Sequence, residues 1–280
     1  MSFFAPLLVA ALQAGPNPSL APPDPIPPEL REQRKRTRAR QASETTAPSR
    51  LVECLRLIAS DPQAALDSAE RWRTNARGAD RARAGHCQGL ALVQLGRFGE
   101  AQAVFLSARE ANAGADRLYA ARLGAMAGNA ALAGAEPAGA VPAFTAAIAD
   151  AREEGDMTLT SGLETDLARA LVMTGANDEA AAALDRARQA DAANTRAWLL
   201  SATLARRMER LGQAQQFIQQ AATLDARDPA IGLEAGVIAA LSGRDADARA
   251  SFASVIDVAP DSDEARRAAT YLEQLSDVTP

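Results

Sequence analysis

Few residues in this 280-residue chain have the types and spacing that catalysis or metal binding requires. His86 is the single histidine, so the chain has no histidine cluster that could hold a metal ion. The sequence also lacks a phosphate-binding GxxxxGK(S/T) loop, an HExxH pair, a CxxC pair and a GxSxG turn. Carboxylates are numerous, but none stands apart from the solvated faces of helices. These features favour a non-enzymatic chain that holds neither a cofactor nor a metal.

Arginine is the residue type with the clearest capacity for recognition. The chain has 30 basic and 35 acidic residues, and Lys35 is its single lysine. The planar guanidinium group suits bidentate recognition of carboxylates. The net charge of −5 argues against a general role in binding nucleic acid. The partner expected from this composition is therefore a protein or peptide. Recognition of such a partner requires secondary-structure elements that hold the arginines on one surface.

A repeat between Ser161 and Ser262 provides those elements. Three consecutive lines of 34 residues, 161–194, 195–228 and 229–262, superimpose without a gap. Counted from the start of each line, place 8 is small, place 20 is Ala, place 24 is large and apolar, and place 27 is Ala or Val. A fixed period of this length indicates a helical repeat array.

This pattern resembles the tetratricopeptide repeat (TPR), a helix–turn–helix unit of about 34 residues. The resemblance implies an all-α fold, a right-handed superhelical solenoid with a C-terminal capping helix. Gly89, Ala101 and Phe105 extend the pattern to one earlier unit, and Gly128 and Phe144 to another. The expected array occupies 46–275, with units at about 46–81 (degenerate), 82–120, 121–160, 161–194, 195–228 and 229–262, and a cap at 263–275.

The repeat also predicts the core and the helix ends. Place 24 should be buried between helices, and it is occupied by Phe105, Phe144, Leu184, Ile218 and Phe252. The GxxxG pairs indicate close approach of the two helices within a unit rather than pairing of membrane helices; they are Gly85/Gly89, Gly124/Gly128 and Gly232/Gly236. Asp116 and Asp156 should cap first helices that start early, and Ser49 should cap the first helix of the array. Glu209 at place 15 departs from the expected turn pattern.

Residues 1–14 predict a signal peptide. Their apolar run of ten residues is too short to span a bilayer as a helix and has the length of a signal-peptide core. The alternatives are an uncleaved N-terminal anchor and an apolar start without function. Residues 15–45, Pro-rich and then basic, are expected to be a disordered linker, with contact to a membrane surface as the alternative for the basic run. The expected location is periplasmic or otherwise exported, without a stable transmembrane span in the mature chain; the alternative is cytoplasmic.

Cys54 and Cys87 lie 33 residues apart, about one repeat. Consecutive first helices of TPR units pack side by side, so the resemblance allows a disulfide between them. An exported chain would favour the disulfide because its compartment is oxidising. Two buried free thiols are the alternative.

The resemblance also implies a ligand surface, a concave groove lined by first-helix residues at places 2, 5, 9, 12 and 13. The residues carried over contain no carboxylate, which favours an acidic or C-terminal peptide segment as ligand. The function implied is a protein–protein interaction scaffold or adaptor of the bacterial cell envelope. An accessory or regulatory subunit of an envelope enzyme and a cytoplasmic scaffold are the alternatives. The predicted groove residues are Arg83, His86, Arg122, Asn129, Arg169, Arg196, Thr203, Arg206 and Arg207.

Overall fold

The computed structural model describes residues 30, 32–35, 49–112 and 114–277, and the chain divides into two compact units, 1–48 and 49–280. The described residues of the first unit are helical. The predicted signal peptide and most of the predicted linker lie outside the described residues, so both remain predictions.

The second unit consists of helices and short turns throughout its described part. Each helix packs against the next along the chain, and several first helices also contact the first helix of the following unit, as in α7 with α9 and α9 with α11. This is the stacking of a helix–turn–helix solenoid, and it confirms the predicted fold class. The helices are α1 (Arg50–Ser60), α2 (Pro62–Asn75), α3 (Gly78–Gln94), α4 (Phe98–Ala111), α5 (Arg117–Ala133), α6 (Pro137–Glu153), α7 (Met157–Met173), α8 (Asn177–Ala190), α9 (Thr195–Arg207), α10 (Leu211–Leu224), α11 (Pro229–Leu241), α12 (Asp245–Val258) and α13 (Asp263–Asp277).

The large residue at place 24 anchors the core of each unit, as predicted. All five of these side chains are at most 2 % exposed: Phe105, Phe144, Leu184, Ile218 and Phe252. Three of them are rings that lie against the glycine at place 8 of the facing helix: Phe105 on Gly89, Phe144 on Gly128 and Phe252 on Gly236.

The glycine pairs serve close packing between the two helices of a unit, which confirms the prediction. A Cβ atom built on Gly128 would lie 2.6 Å from the Phe144 ring, and one built on Gly85 would lie 2.8 Å from the Cβ atom of Ala108. Separations this short force neighbouring atoms to move, so only glycine fits at these places without rearrangement.

Side-chain caps define where the first helices begin. Ser49, Asp116 and Asp156 each accept a hydrogen bond from a backbone N–H in the first turn of α1, α5 and α7, as expected. The early caps make α5 and α7 17 residues long, against 13 in α9 and α11. The last two full units therefore have shorter first helices than the three units before them, in which α3, α5 and α7 each have 17 residues.

The turn between the two helices of a unit has the same backbone feature in the five units after the first. Place 15 has a positive φ in five units: Gly96 (73°), Ala135 (57°), Gly175 (84°), Glu209 (60°) and Gly243 (71°). Glu209, like Ala135, thus adopts the left-handed conformation that glycine adopts in the other three units. The departure in sequence leaves the turn unchanged and places a non-glycine residue in an unfavourable region.

A disulfide joins the start of the array to the next unit. The structure bonds Cys54 of α1 to Cys87 of α3, with their Cα atoms 6.1 Å apart. Cys54 is the one buried residue of α1, since Leu51, Leu57 and Ile58 are only partly buried against the core. The disulfide therefore adds a covalent attachment to a helix that buries few side chains. None of the described helices has the length and apolarity needed to cross a lipid bilayer.

Candidate peptide-binding groove

The predicted groove residues all lie on first helices, and the structure gathers three of them around one cavity. Arg169 of α7 and Thr203 and Arg207 of α9 line a cavity of about 200 Å³, here called the groove cavity. It opens between α7 and α9, and Leu184 of α8 lies beneath it. We call the surface formed by α3, α5, α7, α9 and α11 the first-helix face.

The groove cavity has apolar walls and basic side chains at its rim. Val172, Met173 and Leu200 supply much of the wall, and the Met173 side chain is 52 % exposed. Arg169 and Arg207 are exposed. Among the described residues no carboxylate pairs with Arg207, whereas Arg169 lies 3.4 Å from Asp166, one turn earlier on its own helix. The site can therefore hold an apolar group beside an anion.

Arg206 is not available to a ligand, although it is adjacent to Arg207. Its Nε donates to one oxygen of Glu234 at 2.6 Å, and its Nη2 donates to the other at 3.2 Å. Both side chains are largely buried, so this bidentate pair fastens α9 to α11. Glu234 is at place 6 of its unit, outside the places carried over from the repeat, and sequence reasoning missed it.

Arg196 is likewise paired with a carboxylate. Its Nη2 donates to Asp166 at 2.8 Å, across the boundary between two units. Asp166 thus lies close to both Arg196 and Arg169. The predicted set contained no acidic residue, but neighbouring places supply carboxylates to three of its arginines. The first-helix face is consequently less basic than the sequence indicated.

Two predicted residues, Arg83 and His86, lie on α3, and both interact with Tyr119 near the start of α5. The hydroxyl of Tyr119 is hydrogen bonded to Nδ1 of His86 at 3.0 Å. Burial lowers the pKa of His86. Burial also raises the pKa of Tyr119 to about 12, with Asp116 adding to the shift and Arg83 opposing it. Arg83 and Tyr119 line a separate cavity of about 380 Å³, so Arg83 lies away from the groove cavity.

Arg122 and Asn129 are exposed on α5 and line neither of these two cavities. Two further residues at place 5 are not surface residues at all, because Thr165 and Leu233 are buried. Thr165 donates to the carbonyl oxygen of Ser161, so its hydroxyl belongs to the interior of the unit. Place 5 is therefore a core position in the units 161–194 and 229–262.

Place 13 forms an exposed row on three consecutive first helices. Met173 of α7 is 52 % exposed, Arg207 of α9 is exposed, and Leu241 of α11 is 57 % exposed. The row therefore presents an apolar, a basic and a second apolar side chain in order. Sequence reasoning missed Met173, although it occupies the same place as Arg207 and could have been found from the register alone.

Solved structures with the same architecture were found at low sequence identity. YrrB, described as a TPR protein with an unusual peptide-binding site, is 20% identical, with 76% of this chain and 99% of that chain covered and a TM-score of 0.50. MamA is 15% identical, with 65% and 97% covered and a TM-score of 0.51. Yeast Tom70 is 15% identical, with 81% of this chain and 47% of that chain covered and a TM-score of 0.57. No protein-family model and no curated protein matches the sequence. The chain has the TPR fold.

Proposed function

We propose that this protein is a non-catalytic scaffold that binds an extended segment of a partner protein on its first-helix face. The observation that carries the proposal is the groove cavity, where the exposed Met173 and the half-buried Leu200 form an apolar wall beside Arg207, which has no carboxylate partner in the described part of the chain. Exposed apolar surface next to a cation without a counter-charge is the composition of a binding site rather than of a solvated helix face. The peptide-binding site named for YrrB, a protein of the same fold, is in line with this proposal.

The row at place 13 defines the ligand more closely. Packed helices lie about 8–10 Å apart, and an extended peptide advances about 3.3 Å per residue. One step from helix to helix thus corresponds to about three ligand residues. A ligand matches the row if its acidic residue pairs with Arg207 and its residues three positions before and after are apolar and contact Met173 and Leu241. A peptide that ends at Arg207 also matches, because its C-terminal carboxylate pairs with Arg207 and one apolar side chain contacts Met173.

Selection of displayed random peptides on the purified array tests the proposal directly. Selection on the wild-type protein should enrich sequences with an acidic residue spaced three positions from a Leu, Ile, Met or Phe. Selection on Arg207→Glu should lose that acidic residue, since the reversed charge repels it. Arg227→Glu is the matched control, because Arg227 is exposed in the turn before α11 and lines neither the groove cavity nor the cavity beside Arg83. Enrichment of the same acidic sequences on Arg207→Glu would overturn the proposed groove.

We propose further that the scaffold acts in the cell envelope after export. The apolar run of residues 1–14 and the disulfide between Cys54 and Cys87 support this location, because disulfides persist in oxidising compartments. Cell fractionation with intact-mass measurement provides the test. A mature chain that lacks its first residues, recovered outside the cytoplasm with no free thiol, is expected. Recovery of the full-length reduced chain from the cytosol would contradict the proposed location.

A further inference from the structure

Arg188 of α8 is a nearly buried cation between two aromatic rings. Its side chain is 11 % exposed, and its guanidinium carbon lies 5.1 Å from the ring centroid of Trp198 and 4.4 Å from that of Phe217. It donates to the Ser201 hydroxyl and, at 3.1 Å, to a carboxylate oxygen of Asp185. Burial lowers the pKa of Arg188. The charged group is thus removed from water at a position that does not face the groove cavity.

The repeat supplies an internal reference for this arginine. Arg109 occupies the same place, 28, in an earlier unit. It donates twice to Asp150 of the next unit, at 2.6 and 2.9 Å, so a carboxylate from the neighbouring repeat neutralises it. The residue corresponding to Asp150 in the unit after Arg188 is Leu224. Arg188 therefore lacks the cross-repeat carboxylate, and its pair with Asp185 involves an acid that is itself 56 % exposed.

A cavity of about 280 Å³ opens beside Arg188, between α8, α9 and α10. Besides Arg188, its polar lining consists of Asp185, Ser201, Gln213 and Arg210, the last paired with Asp178, while Met208 and Phe217 contribute apolar surface. Leu184 and Leu204 line both this cavity and the groove cavity. The two cavities are therefore adjacent and share these two side chains as part of their walls.

We propose that the cavity beside Arg188 binds a small carboxylate that carries an apolar body. The carboxylate gives Arg188 the counter-charge that Asp150 gives Arg109, in a partly desolvated site where a charge-assisted hydrogen bond is strong. The apolar body packs on Phe217 and Met208. The cavity is at the small end of the range for ligand sites, which suits a short monocarboxylate better than a larger molecule.

Calorimetric titration with hexanoate, acetate and hexanamide tests the assignment. Hexanoate should bind more tightly than acetate, because it adds apolar contact, and hexanamide should not bind measurably, because it lacks the charge. Equal binding of hexanamide and hexanoate, or an absence of hexanoate binding in the millimolar range, would overturn the proposal. The fluorescence of Trp198 provides an independent reading, because its ring contacts the Arg188 guanidinium.

Two glutamines of α10 provide matched variants that change charge without removing packed side chains. Gln213 lines the cavity, whereas Gln216 is exposed on the same helix and does not line it. Gln213→Glu should weaken hexanoate binding by about ten-fold, because its carboxylate competes for Arg188 and repels the ligand. Gln216→Glu should leave it unchanged. Arg188→Met, with its fold checked by thermal unfolding, should abolish binding; retained binding in Arg188→Met, or an equal loss in the two glutamine variants, would contradict the site.

Discussion

Replacing Gly128 by alanine tests the register of the whole array, since it adds one methyl group at the point of closest approach in a unit. The new Cβ atom would lie 2.6, 2.7 and 2.8 Å from three carbons of the Phe144 ring. Phe144 is fully buried, so its ring moves away only by displacing neighbouring core atoms. The substitution therefore makes two opposing contributions to the free energy of unfolding: a higher helix propensity stabilises the protein, and overpacking destabilises it.

The packing term should exceed the propensity term. Alanine in place of glycine stabilises a helix by about 0.5–1 kcal/mol. Forcing a methyl group into a filled core costs about 1–3 kcal/mol. The expected net effect is a loss of about 1 kcal/mol in the free energy of unfolding. Gly162 on α7 is the control, because a Cβ atom there meets nothing within 4 Å, and Gly162→Ala should stabilise by about 0.5–1 kcal/mol.

Urea unfolding followed by circular dichroism measures both changes, and a double-mutant cycle assigns the cause. In a Phe144→Leu background the smaller side chain relieves the overlap, so Gly128→Ala should lose most of its destabilising effect. Equal stabilisation by Gly128→Ala and Gly162→Ala would refute the reasoning, because it would mean that the Phe144 ring does not lie on Gly128.

Three further predictions concern a turn, a histidine and the disulfide. Glu209→Gly should stabilise the protein by up to about 1 kcal/mol in chemical unfolding, since it removes a left-handed non-glycine residue (φ 60°). The folded-state pKa of His86 is lowered below 6.5, so the unfolded chain binds more protons, and stability should fall as pH drops through 6.5. His86→Gln should flatten that slope in urea unfolding measured between pH 8 and pH 5, and an unchanged slope would contradict the burial of the ring. Reduction of Cys54–Cys87 should release α1 first, since Cys54 is its one buried residue. Hydrogen exchange should then accelerate in α1 and not in α7 or α9, and equal acceleration throughout would show that the disulfide stabilises the whole array.

The repeat register made the fold and much of the core predictable from sequence. A residue such as Phe144 recurs at one place of each unit, and its burial follows from that place because every unit packs in the same manner. Asp116 and Asp156 were predictable for a different reason, since a helix cap depends only on residues within one turn. Local and periodic features are therefore those that a single sequence expresses directly.

The chemistry of the first-helix face was harder to predict, because it depends on pairs formed between units. Arg206 is neutralised by Glu234, 28 residues away, and Arg196 is neutralised by Asp166, 30 residues away. Neither acid occupies a place that the repeat marks as part of the groove. The site beside Arg188 was also not predictable from a local motif. Its distinguishing feature is the absence of a carboxylate at Leu224, the place that Asp150 occupies in an earlier unit.

The most direct test of the proposed groove is a charge-swap experiment with a peptide taken from the selection on wild-type protein. Its affinity would be measured by fluorescence anisotropy with the acidic residue present or replaced by lysine, against wild type and Arg207→Glu. We predict that each single change weakens binding by about ten-fold or more, and that combining the two changes restores much of the loss. Losses that simply add in the double combination would contradict the contact between Arg207 and the peptide, and with it the proposed binding site.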